Sequence, residues 1–288
     1  MLKTMTNGIL TVSADTAGAE LHSISMGGTE YLWQCGDAWR RYAPVLFPFI
    51  CSPGNKSYRA DGKEYIMPTN HGFARDSEFE CLPDSDGTMS FLLSSDEATK
   101  KVYPYDFELK VSYCFDSQDS STLRVINEVK NTGDRQMYFY LGGHPAFNCP
   151  LEEGLGFDDY YVEYSEPETI VQVWNGTRTV IENSRKLSLT RALFDNDVVM
   201  KDAPRSDSVT LKSSKGSKGV TLSWDDTLGC IAVWSPTGND DAKFVCLEPW
   251  TSVPVYEDDG CPDIEEKKHA VKLGAGCSFT FEYKIKVF

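Results

Sequence analysis

Phe107-Glu108-Leu109-Lys110-Val111-Ser112-Tyr113-Cys114-Phe115 puts an apolar or aromatic side chain at every second position, with mostly polar ones between. Successive side chains of a β-strand point to opposite faces, so a period of two predicts a strand with one face on a core. The C-terminus repeats the pattern: Phe279, Phe281, Tyr283, Ile285 and Val287 share one face, and Thr280, Glu282, Lys284 and Lys286 mostly face water. The chain therefore ends inside a sheet. Outward from these two stretches, strands are predicted at 122–130, 136–141, 219–224, 230–234 and 244–247. Gly27-Gly28 separates two strand-like runs, and Asp61-Gly62 sits between 57–60 and 63–67 as a two-residue hairpin turn does. Residues 263–270 have the charge for one or two helical turns, but Cys261-Pro262 and the missing apolar stripe make them a loop. The polar tract 202–219 reads as a long hairpin connection or a boundary. Strand signals resume unchanged beyond it, no fixed-period repeat occurs, and the expectation is one all-β domain over residues 1–288.

Composition limits the function classes. With 41% hydrophobic and 12% aromatic residues the chain can build a packed core, which excludes disorder. Against 28 Lys+Arg stand 43 Asp+Glu, a formal charge of −15, whose averaged field repels nucleic acid and acidic membrane surfaces. A neutral small molecule is the expected partner. The first residues lack the apolar core of a signal peptide, and no run approaches the ~18 apolar residues of a membrane span. Nine cysteines occur singly at 35, 51, 81, 114, 149, 230, 246, 261 and 277, with no Cys-x-x-Cys pair. That pattern predicts reduced thiols, a cytoplasmic location and no structural zinc site.

Phosphate-loop, zincin and nucleophile-elbow signatures are absent from the chain. Four histidines remain: 22, 71, 144 and 269. His144 follows an apolar strand through Gly142-Gly143 and precedes Pro145. Two residues without side chains let a ligand or another backbone come close, and an imidazole there exchanges protons near neutral pH; the bland reading is a satisfied histidine at a strand end. His71 lies in Asn70-His71-Gly72-Phe73-Ala74-Arg75-Asp76, rich in donors that suit sugar hydroxyls; the bland alternative is a surface Arg75-Asp76 pair beside an exposed histidine. Phe244, Cys246, Glu248 and Trp250 share a strand face, which sets a carboxylate among apolar neighbours and raises its pKa into the range of a general base. Trp250 offers a flat surface for the C–H face of a sugar ring. A buried glutamate satisfied by arginine or backbone donors is the structural alternative. Asp197, in Asp195-Asn196-Asp197, is ordinary turn composition and the weakest candidate.

Four segments, in this order, resemble the aldose 1-epimerase (galactose mutarotase) family, particularly the bacterial branch associated with lactose operons. They are Trp39-Arg40-Arg41-Tyr42-Ala43-Pro44-Val45-Leu46-Phe47-Pro48, His71-Gly72-Phe73-Ala74-Arg75, Gly142-Gly143-His144-Pro145-Ala146-Phe147 and Cys246-Leu247-Glu248-Pro249-Trp250. The resemblance implies a large antiparallel β-sandwich that interconverts α and β aldose anomers without cofactor or metal. It implies Glu248 as the base at the anomeric hydroxyl and His144 as the acid at the ring oxygen. A pH profile with a lower limb from Glu248 and an upper limb from His144 follows. His71 and Arg41, with Arg75 and Asp197, are implied as substrate-binding residues; Trp250 joins them on the stacking argument. A homodimer stays open as the assembly. The short His-Gly-Phe-Ala-Arg form is also similar to the hexose-6-phosphate mutarotase branch, whereas Arg40-Arg41-Tyr42-Ala43-Pro44 replaces that branch's Arg-Gly-Gly segment and favours an unphosphorylated sugar. The alternatives from other classes are a non-catalytic carbohydrate-binding protein on the same fold and a polysaccharide-acting β-sandwich, which needs a second flanking carboxylate.

Overall fold

In a computed structural model that describes residues 1–172, 176–258 and 262–288, the opening stretch forms one strand, Phe107–Phe115. It pairs antiparallel with Thr122–Asn131, which pairs in turn with the C-terminal strand Ser278–Val287. These three are the middle of a nine-stranded sheet. Leu109, Val111, Val125, Phe281 and Ile285 turn inward and are buried, while Arg124 and Glu282 meet on the outer face in a two-bonded ion pair. The fold is an all-β, antiparallel sandwich, and the helical segments among the described residues are 3-10 turns of three or four residues. No described helix is long and apolar enough to cross a membrane.

A second sheet carries Val199–Asp202, Cys230–Trp234, Phe244–Trp250, Gly142–Gly143 and Val45–Leu46 in that order, with Ala146–Asn148 also on Phe244–Trp250. A single hydrophobic cluster draws side chains from both sheets, among them Leu109, Val111, Leu46, Ala232 and Leu247. Both predicted tight turns are present. Asp61 and Gly62 have φ of 49° and 70°, the pair of positive angles that a two-residue hairpin matched to strand twist requires.

Two readings of the sequence change. The tract 202–219 is not a bare connection: Ser208–Ser213 is a strand between Tyr160–Gln172 and Gly219–Trp224. Its alternation is real, with Val209 and Leu211 buried, but Ser, Thr and Lys on the other face resemble loop composition. The longest hairpin, Tyr160–Gln172 with Arg178–Ser188, was hidden because Glu166-Pro167-Glu168 interrupts its period and shifts its register. Glu168 is 1% exposed, and its Oε1 accepts the backbone N–H groups of Arg205 and Ser206, which fastens the irregularity in place. The 263–270 tract is a loop with one 3-10 turn, Ile264–Glu266, as expected. Cys261 lies outside the described residues; the other eight cysteines are free thiols.

Candidate active site

Phe244–Trp250 is buried at all seven positions, so Glu248 lies in the interior of the sheet and is 1% exposed. Gly142 pairs with Trp250 and Ala146 with Cys246, and the same register runs through His144 opposite Glu248. The two side chains meet there, with Glu248 Oε2 3.1 Å from His144 Nε2. The approach lacks the alignment of a hydrogen bond: Oε2 has no hydrogen-bonding partner, and neither does His144 Nδ1. The glycines before His144 serve a different purpose from the one their sequence suggests. A Cβ at Gly142 would stand 2.6 Å from the Trp250 ring, and one at Gly143 would stand 2.5 Å from the Tyr283 hydroxyl. They admit two aromatic side chains, not a ligand, and thereby seat the imidazole.

His71 reaches the same place on a strained loop. Its φ is 63°, and that of Gly72 is 73°, with a Cβ on Gly72 falling 2.1 Å from Phe47 O. Backbone bonds hold this conformation: His71 N–H donates to Cys51 O at 2.7 Å, and Phe47 N–H to His71 O at 3.2 Å. His71 Nδ1 accepts the Cys51 N–H at 3.0 Å, which puts the imidazole proton on Nε2 as a donor. Its ring lies edge-on to that of His144, centroids 5.5 Å apart. Cys51 and Asp197, which line the same cavity, also have left-handed backbones, with φ of 58° and 66°. Strain of this kind persists only where the surroundings over-determine it.

The cavity these groups enclose has a volume of about 320 Å³, at the lower end of the ~300–1,000 Å³ typical of small-molecule sites. His71, Arg75, His144, Asp197, Glu248 and Trp250 line it. Arg41 does not. Its guanidinium donates to Arg75 O at 3.0 Å and pairs with Asp76, so it holds the loop that presents Arg75. Glu20, 7% exposed, fixes the next residues by accepting the N–H groups of Tyr42 and Ala43. Sequence reasoning passed over the aromatic walls. Trp39 stacks on His144 with centroids 5.0 Å apart, and Trp234 meets the same ring edge-on at 5.6 Å. Both are partly exposed, whereas Trp250 is 1% exposed, so they are the better platforms for a sugar face. Trp39 was in a quoted segment without a role; Trp234 sits in a strand that gave no sign beyond apolar composition. A hollow of about 400 Å³ beside Gln172 and Met200 is larger but gathers no comparable acid-base pair.

Four buried polar atoms of the cavity residues lack a hydrogen-bond partner: Arg75 Nε, His144 Nδ1, Glu248 Oε2 and Trp250 Nε1. Such atoms are costly to leave unsatisfied, and their convergence marks a site completed by a polar ligand. Electrostatics sets their protonation. Burial, reinforced by the Asp197 carboxylate, holds Glu248 well above the usual carboxylate range. Burial, with Arg75 second, pushes His144 down to about 3. Burial and then His144 hold His71 well below the ordinary histidine range. Both shifts favour the uncharged forms, a protonated carboxyl beside a neutral imidazole.

A model of the family described as aldose 1-epimerase matches residues 1–286. The chain belongs to the aldose 1-epimerase family. Among curated proteins it is similar to the plasmid-encoded LacX protein of Lactococcus lactis subsp. lactis, 32% identical over 283 residues, with 93% of each chain covered. Among solved structures, a galactose mutarotase related enzyme from Lactobacillus acidophilus superposes with a TM-score of 0.91 at 30% identity, over 100% of this chain and 97% of its own. A galactose mutarotase-like protein from Lactobacillus casei ATCC 334 follows at 0.88 and 29%, with both chains fully covered. Within this aldose 1-epimerase fold, the cross-strand His144–Glu248 pair is the part of the cavity equipped to move protons.

Proposed function

We propose that the chain is a cofactor-independent mutarotase in which Glu248 and His144 open and reclose the ring of a neutral hexose. Breaking a hemiacetal requires a proton to leave the anomeric hydroxyl and another to reach the ring oxygen, at two atoms a short distance apart. The observation that carries the reading is the pair itself: a carboxyl and an imidazole 3.1 Å apart, buried and incompletely hydrogen-bonded. Glu248 as carboxylate takes the O1 proton, and His144 as imidazolium gives one to the ring oxygen. Sugar binding moves the Glu248 carboxyl proton onto His144 by offering Glu248 the hydroxyl to accept from. Rotation about the C1–C2 bond of the open aldehyde and attack on its other face exchange the anomers. The same two groups then return their protons in reverse roles.

His71 Nε2–H and the Arg75 guanidinium donate to sugar oxygens, Asp197 accepts from hydroxyls, and Trp39 and Trp234 cover the ring's C–H faces. Asp197 is already oriented, with its Oδ1 accepting the Trp234 indole N–H at 2.8 Å. Arg75 is the single Lys or Arg among the described lining residues, which also include the carboxyls of Asp197 and Glu248. That balance favours a neutral hexose over a sugar phosphate. A cytoplasmic location fits the free thiols of the described cysteines. Polarimetry of freshly dissolved pure anomers of glucose, galactose and their 6-phosphates tests the reading. Acceleration of the neutral sugars is expected; acceleration of the phosphates alone moves the assignment to a sugar-phosphate mutarotase, and binding without acceleration moves it to a carbohydrate-binding protein.

A further inference from the structure

We propose that Cys246, with His144 and Glu248, forms a binding site for a thiophilic divalent cation such as Zn²⁺, whose occupancy blocks the proton-transfer pair. The sulfur, one imidazole nitrogen and one carboxylate oxygen of these residues lie within 4.8 Å of one another. Cys246 and Glu248 are two apart on one strand, so their side chains leave it on the same side, and His144 stands across from Glu248. All three are buried, at 0%, 1% and 6% exposure.

The donor set matches zinc chemistry. One sulfur, one nitrogen and one oxygen leave a fourth tetrahedral position for water. Zinc–ligand bonds of about 2.0–2.3 Å require donors roughly 3.5 Å apart, so the trio has to contract by about an ångström. The His144–Glu248 approach is already at 3.1 Å. Charge also balances. Thiolate and carboxylate neutralise the dication, which removes the main penalty for placing an ion in a buried site. Binding requires the Cys246 thiol to give up its proton. The unpartnered Glu248 Oε2 and His144 Nδ1 show that these groups are not consumed by the fold. Mg²⁺, which needs octahedral oxygen coordination, does not fit the trio. The competing view is that Cys246 only fills space in the small cluster with Ala146, Ala242 and Phe244.

The proposal uses the acid-base reading of the pair for its inhibitory consequence alone, and metal binding is measured independently of turnover. Calorimetry with Zn²⁺ and the near-ultraviolet thiolate-to-metal band of bound Co²⁺ are recorded for the wild type, Cys246→Ala and Cys246→Ser, with Cys51→Ala as the control for the thiol that lines the cavity. Expected are one Zn²⁺ per chain in competition with sugar, a Co²⁺–thiolate band, and loss of both features in the Cys246 variants. Zinc affinity falls by about tenfold or more in those variants, while metal-free anomer exchange is kept. Two folding-competent substitutions guard against a packing failure at Ala. Absence of Zn²⁺ binding to the wild type, binding unchanged in both Cys246 variants, or transfer of the loss to Cys51→Ala overturns the site. If zinc binds as described but no sugar is turned over, the metal site stands and the mutarotase reading falls.

Discussion

The two large sheets treat burial differently. In the nine-stranded sheet the strands alternate, as Ser278–Val287 does, with buried Phe281, Tyr283, Ile285 and Val287 against more exposed Thr280, Glu282, Lys284 and Lys286. In the second sheet Phe244–Trp250 is buried on both faces and includes a glutamate. A strand that obeys the pattern is accounted for by packing. A strand that buries a carboxyl without completing its hydrogen bonds gives up stability, and on the proposed reading it does so for proton transfer.

The contrast is broken most sharply by exchanging losses between the sheets. Glu248→Gln keeps the shape of the side chain but cannot take a proton, and anomer exchange at saturating sugar is expected to fall by about 10²-fold or more. Stability moves the other way. A carboxyl whose folded pKa lies above its unfolded value favours folding fully only below the unfolded pKa, and that contribution is lost as pH rises through the folded pKa. Glu248→Gln should therefore raise Tm, by more at pH 8 than at pH 5. In the nine-stranded sheet, Leu109→Ala is expected to cost about 2–5 kcal/mol in denaturant unfolding with kcat and KM unchanged for the molecules still folded. A Glu248→Gln protein that lost stability and kept activity would erase the distinction.

The pH profile sharpens it further. Burial of both groups predicts that the limbs expected from sequence, Glu248 below and His144 above, exchange owners. Activity requires one proton on the pair. The acid edge comes from adding a second proton to His144, which burial has pushed down to about 3, and the alkaline edge from removing the last proton, which burial holds on Glu248. The acid edge should lie well below the ordinary histidine pKa of about 6.5, and an acid edge near 6.5 would show that burial does not depress His144 in this way. The smallest effect is expected at Arg41. Arg41→Ala frees the Arg75 carbonyl and Asp76 without touching the cavity, so KM should rise severalfold with kcat nearly constant. An equal loss in kcat would mean that Arg41 contacts the reacting sugar.

How much could be read from the chain follows the same division. Phe107–Phe115 and the C-terminal strand were legible because a half-buried strand writes its period into composition. Tyr160–Gln172 was not, since its bulge at Glu166-Pro167-Glu168 breaks the period and only tertiary bonds from Arg205 and Ser206 repair it. At the site, Glu248, His144, His71 and Arg75 stood out locally, by a charge in an apolar strand, by glycines, and by clustered donors. Trp234 and Cys246 did not, because a buried-strand tryptophan and cysteine look the same whether or not a cavity lies beyond them. Arg41 was legible as a cation near the site, but its pairing with Asp76 depends on a loop that sequence spacing does not place.

The central claim is that Glu248 and His144 act as one unit. Two-dimensional exchange NMR of α and β galactose, at saturating sugar, measures the anomer exchange rate for the wild type, Glu248→Gln, His144→Asn and the double variant. If one proton-transfer step needs both groups, the double variant falls little further than the worse single one, so that the two losses are far from additive. Losses that multiply in full, or a Glu248→Gln rate close to wild type, would contradict the account.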